Sequence, residues 1–204
     1  MKQNSQQTAT KSPKSLRTRE RILDAAAKIF REKGYSATRL ADIAAAAHTQ
    51  AGSLYYHFDS KEQLLDDVLE RGHGRVAETV RKRIGDLGPA ASFRDRLRVA
   101  ILAHLEINLR HEDYAAANIH LHNQVPETIR QRHIQKHRTY AAYWHDLFAK
   151  ARAAGEIRAD VDISMARLNL FGMMNWSIEW YRPGRLQIEE LADNMCLTLF
   201  DGIT

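Results

Sequence analysis

From Leu16 to Phe200 the apolar residues of this chain recur at the three- and four-residue spacing of an amphipathic helix. Nowhere do they alternate at the period of two that a half-buried strand requires. The breaks fall at residues that stop helices: Gly34, His48-Thr49, Gly85-Asp86-Leu87-Gly88-Pro89, Gly155 and Pro183-Gly184. Four prolines and ten glycines in 204 residues leave little material for the tight turns of a sheet protein. The Ala, Leu, Ile, Arg and Glu that dominate instead lose little entropy in a helix. The expected fold class is all-α, with about nine helices.

Residues 1–15 are polar, contain a proline and lack periodicity, and read as a disordered basic arm. Helix one is expected from Leu16 to Lys33, with Ile22, Ala26, Ile29 and Phe30 on its inner face. Thr38 is placed to cap a short second helix carrying Leu40, Ile43 and Ala44. A tight turn at His48-Thr49 leads to a third helix from Gln50 to His57. Asp59-Ser60 then caps a long fourth helix, softened at Gly72 and Gly74 and ending near Ile84. Five more are expected over Ser92–His111, Asp113–Asn123, Pro126–Ala154, Asp162–Arg182 and Gln187–Phe200. The division is a DNA-binding unit at 16–61 and a sensing and dimerisation unit at 62–204.

The net charge of +5 is unevenly placed. Residues 1–61 hold eleven Lys or Arg against five Asp or Glu, whereas the remainder holds nineteen against twenty. A basic end on a nearly neutral body is either a solvated surface or the footprint of a protein that docks one end on a polyanion. The single cysteine, Cys196, cannot form an intramolecular disulfide, and neither a signal peptide nor an apolar run of about 20 residues appears. A cytoplasmic location is expected. Gly-rich phosphate loops, Gly-x-Ser-x-Gly elbows and metalloprotease helices are missing, so no enzyme activity and no cofactor are expected.

Three short helices, the last two joined by a few residues, suit a helix-turn-helix, whose final helix enters the major groove. In the segment from Gln50 to Phe58, Leu54 and Phe58 lie one turn apart and face inward. Ala51 and Gly52 are small enough for close backbone approach. Gln50, Ser53 and Tyr55 offer contacts to base edges, and Tyr56, His57 and Lys61 reach phosphates. Arg17 and Arg19, where the arm runs into helix one, are placed for the minor groove or phosphates. Thr38 and Arg39 complete the expected DNA-contacting set. On spacing alone Tyr55 and Tyr56 serve equally well as packing aromatics.

The run Thr38-Arg39-Leu40-Ala41-Asp42-Ile43-Ala44, then Gly52-Ser53-Leu54-Tyr55-Tyr56-His57-Phe58 and Ser60-Lys61-Glu62-Gln63-Leu64-Leu65, resembles the TetR family of regulators. The family usually has Gly where His48 stands, an apolar residue at Thr49 and Ser at Gln50. Histidine tolerates the left-handed conformation better than most residues, which preserves the turn. Ala41 and Ala51 stand where relatives often carry Arg or Lys, so the operator contacts differ from those of such relatives.

The resemblance implies a ligand cavity among helices four to eight and repression by a dimer on a palindromic operator. Candidate ligand-contacting residues are Leu105, Leu109, Asn118, Leu121, His122, Tyr140, Trp144, Phe171 and Asn175. Independently, Leu168, Phe171, Gly172, Met174, Asn175 and Ile178 cover more than one face of helix eight. Leu191, Met195, Leu199 and Phe200 stripe helix nine. These faces either pair with a second copy through the last two helices or complete a monomer's core.

Helix seven carries Arg130, Arg132, His133, Lys136, His137 and Arg138 with no acid between Glu127 and Asp146. That run is either a solvated face or a cradle for an anionic effector such as an acyl-CoA. The stretch from Asn175 to Gly184 resembles a subset of TetR regulators associated with fatty-acid or acyl-CoA metabolism. His133 and His137 lie one turn apart, but zinc-type Cys/His spacing is missing and their neighbours are cationic, so no metal site is expected. The alternatives are a metal- or drug-responsive regulator of the same fold, or a non-specific DNA-binding protein.

Overall fold

The computed structural model describes residues 12–121 and 124–201. These form nine α-helices and no strand: α1 (Pro13–Ala37), α2 (Leu40–Ala46), α3 (Ala51–His57), α4 (Lys61–Asp86), α5 (Phe93–Arg110), α6 (Glu112–His120), α7 (Glu127–Ala153), α8 (Ile163–Trp180) and α9 (Ile188–Asp201). Among the described residues no helix is long and apolar enough to cross a membrane.

Local chemistry explains most boundaries. The Ser60 hydroxyl accepts from Gln63 N at 3.1 Å and starts α4. Ser92 and Asp95 form a reciprocal capping box at α5, and the Asp162 carboxylate accepts from the amides of Ser164 and Met165 to start α8. His48 adopts the left-handed conformation at φ 49°, as its turn demands.

Two expectations fail at the N-terminus. Ser12 caps α1 and Pro13 occupies its first turn, so the helix begins before Leu16 and Arg17 and Arg19 sit within its first two turns. Residues 1–11 lie outside the described residues. Thr38 does not cap α2, whose N-cap is Arg39. It caps α1 instead: its hydroxyl donates to Gly34 O at 2.7 Å and its side chain is buried.

Two apolar cores share α4. The first joins Ile22, Leu23, Phe30, Ile43, Leu54 and Phe58 to Leu64, Leu65, Val68 and Leu69 at the start of α4, with Tyr114 and Ala117 added from α6 and Leu121 from its C-cap. The second joins Val76, Val80 and Ile84 from the far half of α4 to Leu97, Ile101, Trp144, Phe148, Leu170 and Met174. The core of the DNA-binding unit therefore extends past residue 61, and α4 is the beam common to both units. Gly72 does not soften α4, which is continuous through it. A Cβ on Gly72 would lie 2.4 Å from Asn118 Nδ2 and 3.0 Å from Tyr114 O, so the glycine is what lets α6 approach α4.

Candidate DNA interface and sensor cavity

The third helix is held by its inner face and open on the other. Leu54 and Phe58 are fully buried, with the Arg19 guanidinium 5.0 Å above the Phe58 ring and paired to Asp67. Gln50, Ala51 and Gly52 are exposed, and space beside Gly52 is open. Tyr55 and Tyr56 are 58% and 72% exposed, so they are not packing aromatics of the domain core. Ser53 is half-buried, and Arg39 and Arg17 are exposed. Lys61 lies 4.3 Å from the Tyr35 ring centroid, while the Tyr35 hydroxyl donates to Glu62 at 2.6 Å.

Two members of the expected set do not sit in the open. Thr38 is committed to its cap. His57 is buried, with its ring edge-on to Tyr56 at 5.0 Å. Replacing Tyr55 by alanine should lower operator affinity about 10- to 100-fold, the range of one good base contact, and leave the melting temperature unchanged. Unaltered affinity in a gel-shift titration would remove α3 from the interface.

A cavity of about 290 Å³ opens in the body between α4, α5, α6, α7 and α8. Of the expected ligand contacts, Asn118, Tyr140, Phe171 and Asn175 line it. Trp144 lies one layer behind, its ring 5.3 Å from Phe171 and 6.1 Å from Tyr140. Leu105 is buried in the body core, Leu109 is half-buried beside it, and Leu121 belongs to the core of the DNA-binding unit. None of these three reaches the cavity, because its walls form where helices diverge rather than where they pack closest. His122 lies outside the described residues.

Polar groups in the wall were not anticipated. His104 is buried, with Nδ1 3.1 Å from the Tyr140 hydroxyl, and Nε2 2.8 Å from Asn108 Nδ2 and 3.2 Å from Asn175 Oδ1. Burial lowers the His104 pKa to about 4, so the ring is neutral at pH 7. His73, whose pKa burial also lowers, lies with its ring centroid 4.4 Å from that of His137, tilted against it, at the same wall. Arg167 lines the cavity with its Nε buried and without a hydrogen-bond partner, and it makes no ion pair among the described residues.

Most of the basic run of α7 is paired, and Arg138 is exposed to solvent. Arg132 and His133 both bind Asp66 of α4, the histidine at 2.8 Å, and Lys136 binds Glu70. Arg130 is paired with Glu127. Arg132, His133 and Lys136 fasten α7 to α4, so they are engaged within the protein, whereas Arg167 lines the cavity. Among the described residues no three His, Cys, Asp or Glu side chains are grouped to hold a metal ion.

Helix α6 touches both regions. Its Ala115, Asn118 and Ile119 line the cavity. Toward α1, the Tyr114 hydroxyl donates to Asp24 at 2.7 Å, and Asp113 pairs with Arg31 at 2.9 Å.

A recognition helix presented at one end, carried by a helical body with its own mixed polar cavity, defines a helix-turn-helix transcriptional regulator. Residues 22–68 match the family described as "Bacterial regulatory proteins, tetR family", and residues 90–203 match "Tetracyclin repressor-like, C-terminal domain". The chain belongs to the TetR family, a family of transcriptional regulators and not of enzymes.

It is 27% identical over 187 residues to the HTH-type transcriptional repressor KstR2 of Rhodococcus jostii (strain RHA1), spanning 91% of this chain and 90% of that one. The structure resembles the ketosteroid transcriptional regulator KstR2 of Mycobacterium tuberculosis, with a TM-score of 0.80, 26% identity and coverage of 91% and 94% of the two chains. It also resembles AibR in complex with isovaleryl coenzyme A and operator DNA, with a TM-score of 0.78, 29% identity and coverage of 90% and 98%.

Proposed function

We propose that this chain is a ligand-responsive repressor that binds a palindromic operator as a homodimer and is released by a small molecule, an acyl-CoA. The observation that carries the reading is α6, which contributes wall to the cavity and a hydrogen bond to α1 of the DNA-binding unit. The acyl-CoA assignment is supported by Arg167, which lines this mixed polar and apolar wall and makes no ion pair among the described residues, and by the isovaleryl coenzyme A in the AibR complex. At about 290 Å³ the cavity stands at the small end of ligand sites, which run to about 1,000 Å³. It takes a short acyl group and leaves the nucleotide outside.

The dimer is supported by the far face of α8 and α9. Met165, Trp176, Trp180 and Leu197 are exposed there, around a groove floored by Gly172, Leu191 and Met195. A two-fold pairing of these helices sets two copies of α3 about 34 Å apart, one DNA turn. Ligand in the cavity shifts α6 against α1 and spoils that spacing. A 100-fold release requires the ligand to prefer one state by roughly 2.7 kcal/mol.

Selection of bound duplexes from a random pool, with and without a panel of acyl-CoAs, tests this reading. A palindromic motif that disappears with one CoA ester is the expected result. A motif indifferent to every CoA ester would discard the effector, and enrichment of no motif would discard specific operator binding. Tyr114→Phe should preserve ligand affinity and operator affinity while reducing the ligand's release effect several-fold. A release ratio equal to wild type, read by fluorescence anisotropy, would exclude the Tyr114–Asp24 bond from the coupling.

A further inference from the structure

We infer that the effector's buried acyl part carries a neutral oxygen, a hydroxyl or a ketone, and that His104, Asn108, Tyr140 and Asn175 read it. The inference rests on the reading that the cavity holds the effector, and it narrows the class of acyl group.

The argument begins with the bonding capacity of one ring nitrogen. Nε2 of His104 offers a single in-plane bond, either an N–H or a lone pair. Two amides address it: Asn108 through Nδ2 at 2.8 Å, which needs the lone pair, and Asn175 through Oδ1 at 3.2 Å, which needs the proton. One ring nitrogen cannot satisfy both. If Nε2 carries the proton, Nδ1 accepts from the Tyr140 hydroxyl and Asn108 is left short of a partner. If Nδ1 carries it, Tyr140 accepts, its own O–H is spare, and Asn175 Oδ1 is short. Reversing either amide moves the shortage without removing it. The protonated ring would offer donors on both nitrogens, but burial keeps it neutral above about pH 4.

All four residues line the cavity, so the missing partner is expected from that side. Three of them, His104, Asn108 and Tyr140, are buried, and Asn175 is half-buried at the opening. A purely aliphatic acyl group filling the cavity would strip water from this cluster and leave the shortage uncompensated, which buried polar groups tolerate poorly. A site built to hydrogen-bond an oxygen rejects the analogue that lacks it more sharply than an apolar pocket rejects an added one. Neutral rings also make this end of the cavity a poor host for a carboxylate. The charge of the effector belongs at Arg167, and its neutral oxygen at His104.

Calorimetric titration of the full chain with butyryl-CoA, 3-hydroxybutyryl-CoA and acetoacetyl-CoA tests the inference, since the three acyl groups differ in one oxygen function. At least one oxygenated ester should bind 10-fold or more tightly than butyryl-CoA, and whether the hydroxyl or the ketone wins identifies the partner the cluster lacks. Asn175→Leu and Tyr140→Phe, both conservative in volume, should each erode that preference while still binding butyryl-CoA. Equal or tighter binding of butyryl-CoA by the wild type, or a preference untouched by both substitutions, overturns the inference and leaves the CoA-ester reading standing. If no CoA ester binds, that reading falls. The same ranking with butyrate, 3-hydroxybutyrate and acetoacetate then decides the inference, and no preference for an oxygenated acid overturns it too.

Discussion

Trp176→Glu should convert the protein from dimer to monomer and lower its operator affinity at least 100-fold. Trp176 is 66% exposed on the face of α8 that points away from the cavity, and it borders a groove shared with α9. Trp180, one turn further on, is 48% exposed, and Met165 and Leu197 extend the apolar surface. A contiguous patch of this kind is costly to leave in water and marks a docking surface. In a two-fold interface each residue appears twice, so one substitution removes two indoles and introduces two carboxylates near the axis. An indole buries about 150–250 Å², worth several kcal/mol per side at about 25 cal/mol per Å². A monomer then binds each half-site alone and loses the effective-concentration advantage of linkage, typically about 100-fold or more. Light scattering reports the mass and gel shift the affinity. A variant that remains dimeric, or a monomer that binds the palindrome like wild type, would sink the assignment of this face. Trp176 touches neither the cavity wall nor α3, so circular dichroism should be unchanged.

The caps and stops of this fold are local signals, which is why its helices were legible. Ser60, Ser92 and Asp162 start helices by bonds to amides two or three residues away, and His48, Gly155 and Gly184 take the positive φ expected of chain breaks. The same locality misled at Thr38, a residue fit to cap in either direction. Nothing within its neighbourhood says that its hydroxyl turns back to Gly34. At Ser12-Pro13 the signal was present and overlooked: a serine followed by proline is an N-cap with a first-turn residue, although composition there resembles an arm.

The site was legible where a motif carried it and opaque where long-range packing decided it. Tyr55 and Tyr56 stand open as the motif implies, but burial of His57 depends on how α3 seats on the domain. The α7 cations looked available because their partners, Asp66 and Glu70, lie 66 residues upstream on α4. Leu105 and Leu121 satisfy every local criterion that Phe171 does. Only the divergence of the helices around them separates core from cavity wall. His104 and Asn108 did leave a trace: a histidine and an amide one turn apart on one face of a helix, whose burial obliges a polar partner.

Acidification should destabilise the protein through His104 by about 3 kcal/mol between pH 6.5 and pH 4. Burial holds the folded-state pKa near 4, with like-charge repulsion from His73 acting in the same direction, whereas an unfolded histidine titrates near about 6.5. Below 6.5 the unfolded chain therefore binds a proton that the folded chain refuses. The stabilisation is fully present above that pH, declines as pH falls, and levels off once the folded ring also protonates near 4. Each pKa unit is worth about 1.36 kcal/mol, which sets the size. Carboxylates lost over the same range add their own slope, so the decisive comparison is with His104→Gln, which keeps a polar side chain but does not titrate. Urea unfolding should place the variant below wild type at pH 7, because it disturbs the bonds to Tyr140 and Asn175. The gap should then close by about 3 kcal/mol by pH 4. Parallel stability curves would mean that the ring is already solvated or charged in the folded protein. The neutral histidine on which recognition of an uncharged oxygen depends would then be lost with it.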